Sequence, residues 1–335
     1  MSSQLRLFEP PDDEAAAAAR ASDAALETRR AEAAAVAARL PDTLAFGTSS
    51  WAFPGWAGLV YPAGLSPTAL SREGLRHYSR HPLLRTVGVD RSYYAPIPLD
   101  DLRAWADQVP DTFRACFKAP ASVTSRLTPT FGGRGGHAPN PDFLSVDRLI
   151  ADLLEPLYVA FHPHTGPIVI ECPPGTHQSS QPVSATLDAF DAFFERLPRE
   201  FEYAMEIRDA ALLTPAYRAL LAKHEVAHTF NYWSAMPPLA RQARVVAPDE
   251  AAFTVLRLLL RPGTWYEDQR DRFKPFSRLV EPDETMRDEV VQLTTRALKK
   301  GRRVYVLVNN KAEGSSPLTV EALAARVAAA WERRA

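Results

Sequence analysis

Residues 166–171 read Gly-Pro-Ile-Val-Ile-Glu, an apolar run that stops abruptly at a charged side chain. The same pattern recurs as Phe-Thr-Val-Leu-Arg at 253–257 and as Arg-Val-Tyr-Val-Leu-Val-Asn-Asn at 303–310. Strands that are apolar on both faces are typical of buried parallel sheets. In such sheets functional side chains gather at the carboxyl ends of the strands, so each terminal polar residue marks a candidate site residue.

Strand-like runs alternate with helical runs from residue 44 onward. The predicted strands are 43–48, 85–90, 113–118, 166–171, 201–206, 226–231, 253–258 and 304–309. The predicted helices are 66–80, 99–109, 143–161, 183–197, 214–224, 284–300 and 317–333. This alternation predicts a single (β/α)8 TIM-type barrel over residues 42–335. A doubly wound open sheet is the alternative, disfavoured because no Gly-x-Gly-x-x-Gly turn follows the first strand.

The composition is that of a soluble globular chain, with 46% hydrophobic and 24% charged residues among 335. A formal net charge of -1 argues against binding nucleic acid or anionic lipid through bulk charge. Cys116 and Cys172 lie in strand-like runs, and we expect both to be reduced and buried. No apolar stretch is long enough to cross a bilayer, so we expect a cytoplasmic protein without membrane contact.

Residues 1–41 form an Ala-rich extension, which we expect to be helical or flexible and only loosely attached. Within it, Gln4-Leu5-Arg6-Leu7-Phe8 resembles the QLxLF peptide with which bacterial replication and repair proteins dock to the sliding clamp. Such peptides insert apolar anchors into a preformed groove. A sliding clamp is therefore a candidate partner for Gln4, Leu5, Leu7 and Phe8. The alternative is that Leu7 and Phe8 pack on the barrel floor.

Charged residues at the strand ends predict a site for an anion. Lys118, Arg208 and Arg257 would converge on one barrel mouth, where cations favour phosphate or carboxylate. Asp90, Glu171 and Glu206 would supply the catalytic acid or base. The remaining candidate substrate contacts are polar or aromatic residues at the same ends: Asn231, Asn309, Asn310, Trp51 and Tyr94.

Two other interpretations of these charges stay open. The six groups could form an internal salt-bridge ring that only closes the barrel. A carboxylate-only Mg2+ or Mn2+ site from the three acids is also compatible with the pattern. No other cofactor is predicted, because the histidines are scattered and only His137 and His177 fall in mouth loops. No nucleophile elbow is visible either.

The block Gly-Thr-Ser-Ser-Trp-Ala-Phe-Pro-Gly-Trp-Ala-Gly-Leu-Val-Tyr-Pro at 47–62 resembles the opening signature of the YecE-like family, domain of unknown function 72. Later blocks agree in order with that family: 86–96, 113–124, 166–174, 205–208 and 309–314. The resemblance spans about residues 44–330 and implies a TIM-type barrel with no agreed activity. Five positions depart from the family pattern: Gly88 for Glu, Asp90 for Asn, Glu171 for Gln, and Leu259 and Lys311 where many members have His.

The sequence thus predicts an enzyme acting on a small anionic substrate at the carboxyl-end mouth of a barrel. One alternative is a phosphodiester- or nucleic-acid-processing enzyme recruited to a sliding clamp by the QLxLF peptide. Another is a non-catalytic ligand-binding or adaptor barrel.

Overall fold

A computed structural model describes residues 13–128 and 138–333. Eight parallel strands close into a barrel in chain order, which confirms the predicted fold. The strands are β1 (Leu44–Thr48), β2 (Leu84–Val89), β3 (Arg114–Lys118), β4 (Thr165–Cys172), β5 (Tyr203–Ile207), β6 (Ala227–Tyr232), β7 (Phe253–Leu258) and β8 (Arg303–Val308). Each lies on a predicted strand, with bounds that shift by one or two residues.

Helices surround the barrel and fill its loops in the described part of the chain. They are α1 (Asp13–Ala37), α2 (Pro67–Ser79), α3 (Arg91–Tyr94), α4 (Leu99–Ala106), α5 (Ala121–Thr124), α6 (Val146–Leu149), α7 (Glu155–Ala160), α8 (Val183–Glu195), α9 (Pro215–His224), α10 (Leu239–Val245), α11 (Tyr266–Phe273), α12 (Glu284–Lys299) and α13 (Ser316–Glu332). Short 3-10 turns occupy Pro54–Trp56, His162–His164 and Ala210–Leu212. No described helix is long and apolar enough to cross a membrane.

The helix predicted over 143–161 is instead interrupted, and this prediction was too simple. α6 passes into a π-helical turn at Ile150–Leu154 before α7 begins. Pro156 explains the change, because a proline lacks the N–H that an α-helix needs and its ring crowds the carbonyl four residues earlier. A wider turn relieves both conflicts.

Side chains fill the barrel interior in layers. The layers below the mouth are mostly apolar and consist of Cys116, Val169, Ala204, Ala227, Phe253, Val255, Tyr305 and Leu307. Side chains of a strand repeat on one face every second residue. The next interior positions towards the carboxyl ends are therefore Lys118, Glu171, Glu206, Arg257 and Asn309. The alternation places polar groups at the mouth, above an apolar floor.

The first mouth loop is anchored by Tyr78 of α2. Its hydroxyl accepts a hydrogen bond from the Thr48 N–H at 2.9 Å and donates one to the Thr86 carbonyl at 2.8 Å. These bonds tie the end of β1 to β2. Gly47 permits the same close approach, since a Cβ there would lie 2.0 Å from the Thr86 carbonyl oxygen. The start of the 47–62 block is thus fixed against the barrel.

α1 is more firmly attached than we predicted from its composition. Leu26 and Ala33 are buried, and α1 contacts α13. Ion pairs join Arg29 to Glu321 at 2.7 Å and Arg39 to Glu332. α13 is also rich in alanine, and small side chains allow two helices to approach closely.

The long loop after β7 is held down by a buried ion pair. Arg287 donates to both oxygens of the fully buried Glu313 at 2.8 and 2.9 Å. Glu313 also accepts the N–H of Asp283, whose carboxylate receives the Tyr232 hydroxyl at 2.5 Å. This network fixes one wall of the mouth.

Candidate active site

Six charged side chains from five strands meet at the carboxyl-terminal mouth of the barrel. This charge cluster consists of Asp90, Lys118, Glu171, Glu206, Arg208 and Arg257. Lys118, Glu171, Glu206 and Arg257 lie on the interior face because each follows an apolar interior residue of its strand by two positions. Asp90 directly follows the last residue of β2. Arg208 follows Glu206 by two residues, just beyond the end of β5. Every charged residue predicted for the site is therefore in one place.

Glu171 is the centre of the cluster. One of its oxygens, Oε2, lies 2.7 Å from Lys118 Nζ, 2.6 Å from Arg208 Nη2 and 3.1 Å from Arg257 Nη1. Three cations from three strands thus share one carboxylate oxygen. β4 and β5 place Glu171 beside Glu206 in register.

Glu206 and Asp90 complete the charge balance. Arg208 donates from Nε to Glu206 Oε1 at 3.0 Å, and Arg257 pairs through Nη1 with Glu206 Oε2. Arg257 also donates from Nη2 to Asp90 Oδ1 at 2.9 Å. The cluster holds three cations and three carboxylates, so its formal charge is zero when all six groups are ionised.

Burial and neighbouring charges act in opposite directions on Glu171. Burial alone would raise the pKa of its carboxyl, but Arg208, Lys118 and Arg257 together lower it to about 2. Glu171 therefore stays ionised at neutral pH and holds the cations in position. Burial lowers the pKa of the Lys118 ammonium, although Glu171 and Asp90 oppose that effect. The pKa of Arg257 is raised, because Glu206 and Asp90 outweigh its desolvation.

Two aromatic rings cover the cations nearest the opening. Lys118 Nζ lies 3.6 Å from the centre of the Tyr93 ring, and Arg208 Cζ lies 4.1 Å from the centre of the Trp233 ring. Such contacts stabilise a cation more strongly where water is excluded. Both rings follow strand ends in the sequence, but which cation each would cover is not visible there.

The three predicted asparagines have different positions. Asn231 is fully buried and donates to the Ile207 carbonyl at 2.8 Å, while its Oδ1 has no partner within the described residues. Asn309 Oδ1 accepts the Lys311 N–H at 3.1 Å. Asn310 is buried, and its Oδ1 accepts from Trp56 Nε1 and from Ser316. Its Nδ2 has no partner within the described residues, and a contact between Asn310 and substrate stays a prediction.

The aromatic candidates also separate. Tyr94 is 58% exposed on the rim and packs edge-on against Tyr93. Trp51 is nearly buried, packs edge-on against Trp105 at 4.9 Å, and accepts the Tyr61 hydroxyl at its carbonyl. Trp105 lies on α4, and the apolar periodicity of a helix is the same for a residue of the core and for a residue that lines a site. Sequence reasoning therefore missed it.

The other candidate nucleophiles and bases of the described residues, Cys116, Cys172, His177 and His228, are buried or hydrogen-bonded to other residues. Both cysteines are free and buried, as expected, and burial raises the pKa of Cys116 to about 12. His228 is enclosed by Tyr217 and Gln242, and burial lowers its pKa to about 4. His177 hydrogen-bonds Thr186 at 3.3 Å. Within residues 13–128 and 138–333, no three His, Cys, Asp or Glu side chains are grouped as metal ligands.

Two predicted features lie outside the described residues. The peptide Gln4–Phe8 precedes residue 13, and His137 falls in the gap between residues 128 and 138. The clamp-binding peptide therefore stays a prediction.

Comparisons with known proteins identify relatives of the whole barrel. The family model described as "Protein of unknown function DUF72" matches residues 45–334. A DUF72 family protein of Enterococcus faecalis V583 is similar in structure, with 16% identity and a TM-score of 0.58 over 86% of this chain and 95% of that chain.

A DUF72 family protein of Thermotoga maritima MSB8 is similar too, with 18% identity and a TM-score of 0.57 over 84% of this chain and 97% of that chain. At these identities the likeness extends to the fold alone. No curated protein matches the chain. The family match covers nearly all of the barrel, and the chain belongs to the DUF72 family of proteins of unknown function.

Proposed function

We propose that this protein is an enzyme that binds a phosphate- or carboxylate-bearing substrate at the barrel mouth and uses Asp90 as its acid–base group. The observation that carries the proposal is the charge cluster itself. A largely buried cluster of charges is a weak stabiliser, because well-packed apolar residues of similar volume often give the same stability or more. Groups with strongly shifted pKa values in a cleft are instead typical of functional sites.

Lys118 and Arg208 are the best-placed anion contacts. Their side chains are 9% and 11% exposed, whereas Arg257 is 3% exposed beneath them. A lysine ammonium has three donors and a guanidinium has five, more than the cluster contacts of either residue require. Arginine additionally offers the bidentate geometry that phosphate and carboxylate favour.

The neutrality of the cluster has a chemical consequence. An anion that enters a neutral, partly desolvated cup adds an unbalanced negative charge, which low dielectric makes costly. Asp90 is the carboxylate that an entering substrate reaches most readily, since its side chain is 33% exposed and its described ion pair joins only one oxygen to one cation.

The roles of the carboxylates then differ. Glu171, with its lowered pKa and three cations, positions Lys118 and Arg208 and stays charged. Glu206 is fully buried and holds Arg208 and Arg257. Asp90, the most accessible of the three, is placed to act as the acid–base group towards a leaving group. This assignment narrows the three catalytic candidates of the sequence to one acid–base group and two positioning groups.

Sulfate binding tests this proposal, because sulfate does not titrate near neutral pH. We expect calorimetry to show that sulfate binds the folded parent. Arg208→Gln should weaken binding at least about tenfold through loss of a charge-assisted contact. Arg303→Gln is the matched control, because Arg303 pairs with Glu202 at the start of β8, at the opposite end of the barrel.

Two results would decide against the proposal. Equal weakening by Arg208→Gln and Arg303→Gln would show that sulfate binds by surface charge. No binding by the folded parent, together with a large loss of stability in Arg208→Gln, would favour a ring of salt bridges that only closes the barrel.

A further inference from the structure

A small cavity adjoins the charge cluster on the side of β1 and β2. It has a volume of about 210 Å3 and lies between the first mouth loop, α2, the end of β2 and α4. Trp51 and Trp105 pack against each other and form one aromatic wall, and Val89 adds a further apolar surface. The polar residues of the lining are Ser49, Ser50, Ser71, Asp90 and Arg91. The cavity therefore combines one aromatic wall with hydrogen-bonding groups on its other sides.

Ser49 marks the cavity as incomplete without a ligand. The residue is 8% exposed, and its Oγ has no hydrogen-bond partner within the described part of the chain. A buried hydroxyl normally has a hydrogen-bond partner. A buried hydroxyl without one has lost its hydrogen bonds to water and gained none in return, which costs free energy. A group that donates to or accepts from Ser49 Oγ would remove that cost.

Asp90 connects this cavity to the charge cluster. Asp90 lines the cavity, and its Oδ1 accepts a hydrogen bond from Arg257 of the charge cluster at 2.9 Å. A molecule with one part in the cavity and an anionic part near Lys118 or Arg208 would pass directly over Asp90. The bond between the two parts would then lie beside the proposed acid–base group.

We propose that this cavity is a subsite for a single aromatic or heteroaromatic ring that carries one hydrogen-bonding group. The substrate would then be an aryl phosphate or aryl carboxylate, with the ring packed against the joined surface of Trp51 and Trp105 and the anion at the cluster. This inference rests on the proposed function and names its substrate class.

Size and polarity both favour a substituted aromatic ring. A cavity of about 150 Å3 is enough to hold benzene, so this one has room for a ring with a substituent. Trp51 and Trp105 contact each other edge-on at 4.9 Å and present one joined aromatic surface, against which a ligand ring can pack in offset or edge-to-face contact. The unpaired Ser49 hydroxyl matches one hydrogen-bonding group on that ring.

Ligand comparison by calorimetry tests the subsite. We expect phenyl phosphate to bind the parent at least about tenfold tighter than methyl phosphate, since burying the ring adds apolar contact. Ser71→Leu should abolish this preference, because Ser71 is exposed on α2 and a leucine there would fill the cavity entrance. Thr68→Leu is the control, since Thr68 is exposed on α2 but does not line the cavity.

Ser49→Ala tests the hydroxyl separately. The best of the three hydroxyphenyl phosphates should bind the parent more tightly than phenyl phosphate, and this difference should vanish in Ser49→Ala. Because the hydroxyl is unpaired in the free protein, the variant should remain folded and keep its affinity for methyl phosphate.

Each contrary result has a distinct meaning. Equal affinity for phenyl and methyl phosphate would overturn the subsite and leave the anion site standing. Tighter binding of glucose 1-phosphate than of phenyl phosphate would overturn the aromatic assignment. Failure of every phosphate to bind would overturn the proposed function itself.

Discussion

Arg257→Ala should destabilise the barrel by about 3–5 kcal/mol, the usual effect of removing one partner from a buried ion pair. Arg257 is 3% exposed and pairs with Glu206, Glu171 and Asp90. Its removal leaves buried carboxylates with too little positive charge. Urea denaturation at pH 7 would measure the change in the free energy of unfolding.

Arg303→Ala is the matched control for this experiment. Arg303 also pairs with a glutamate, but both side chains of that pair are well exposed, and we expect a loss of no more than about 1 kcal/mol. Adding Glu206→Gln to Arg257→Ala should restore part of the stability, because it removes one unpaired charge. A loss in Arg257→Ala no larger than the control would show that the cluster is not buried as described.

Glu171→Gln should change how stability depends on pH. In the folded protein, neighbouring cations lower the pKa of Glu171 to about 2. In the unfolded chain these cations are not held near Glu171, and its pKa returns to about 4.3. Its ionised form therefore contributes about 3 kcal/mol above about pH 4.5, and this contribution is lost as the pH falls towards 2. The variant lacks the contribution at every pH.

The difference in unfolding free energy between parent and Glu171→Gln should thus be largest above about pH 5 and shrink steadily below it. Glu202→Gln serves as the control, since Glu202 forms only the exposed pair with Arg303. A difference for Glu171→Gln that stays constant down to about pH 3 would contradict the lowered pKa.

The positions of the charged residues could be predicted from the sequence because two simple rules apply. Side chains repeat every second residue along a strand, and parallel strands of a barrel end on one face. Lys118, Glu171 and Arg257 satisfy both rules, and their contacts follow. Neither rule sets the rotamers of long side chains, so the convergence of three cations on one oxygen of Glu171 could not be predicted.

Contacts between distant elements were harder to predict. Trp105 of α4 lines the cavity that also contains Ser49. Helix periodicity predicts that such a residue faces inward, but it does not distinguish a core residue from a residue that lines a site. α1 contacts α13, with one ion pair from Arg29 of α1 and another from Arg39 just after it, and the composition of α1 does not reveal this partner. Both errors arise because tertiary packing, and not local sequence, determines which surfaces meet.

Two of the residues that depart from the family pattern, Asp90 and Glu171, lie in the charge cluster. The resemblance leads us to expect Asn at position 90 and Gln at 171, whereas this chain has Asp90 and Glu171. Both carboxylates lie in the charge cluster, and both contact Arg257. With neutral residues at these positions the same three cations would face fewer carboxylates.

A crystal of the parent soaked in selenate would test the central claim most directly, since selenate mimics sulfate and its selenium gives an anomalous signal. We expect an anomalous selenium peak at the barrel mouth. The selenate oxygens should lie within hydrogen-bonding distance of Lys118 Nζ and the Arg208 guanidinium, about 2.7–3.2 Å from donor nitrogen to oxygen. The peak should disappear in Arg208→Gln. Peaks confined to surface residues, with Lys118 and Arg208 still bound only to Glu171 and Glu206, would contradict an anion site at the mouth.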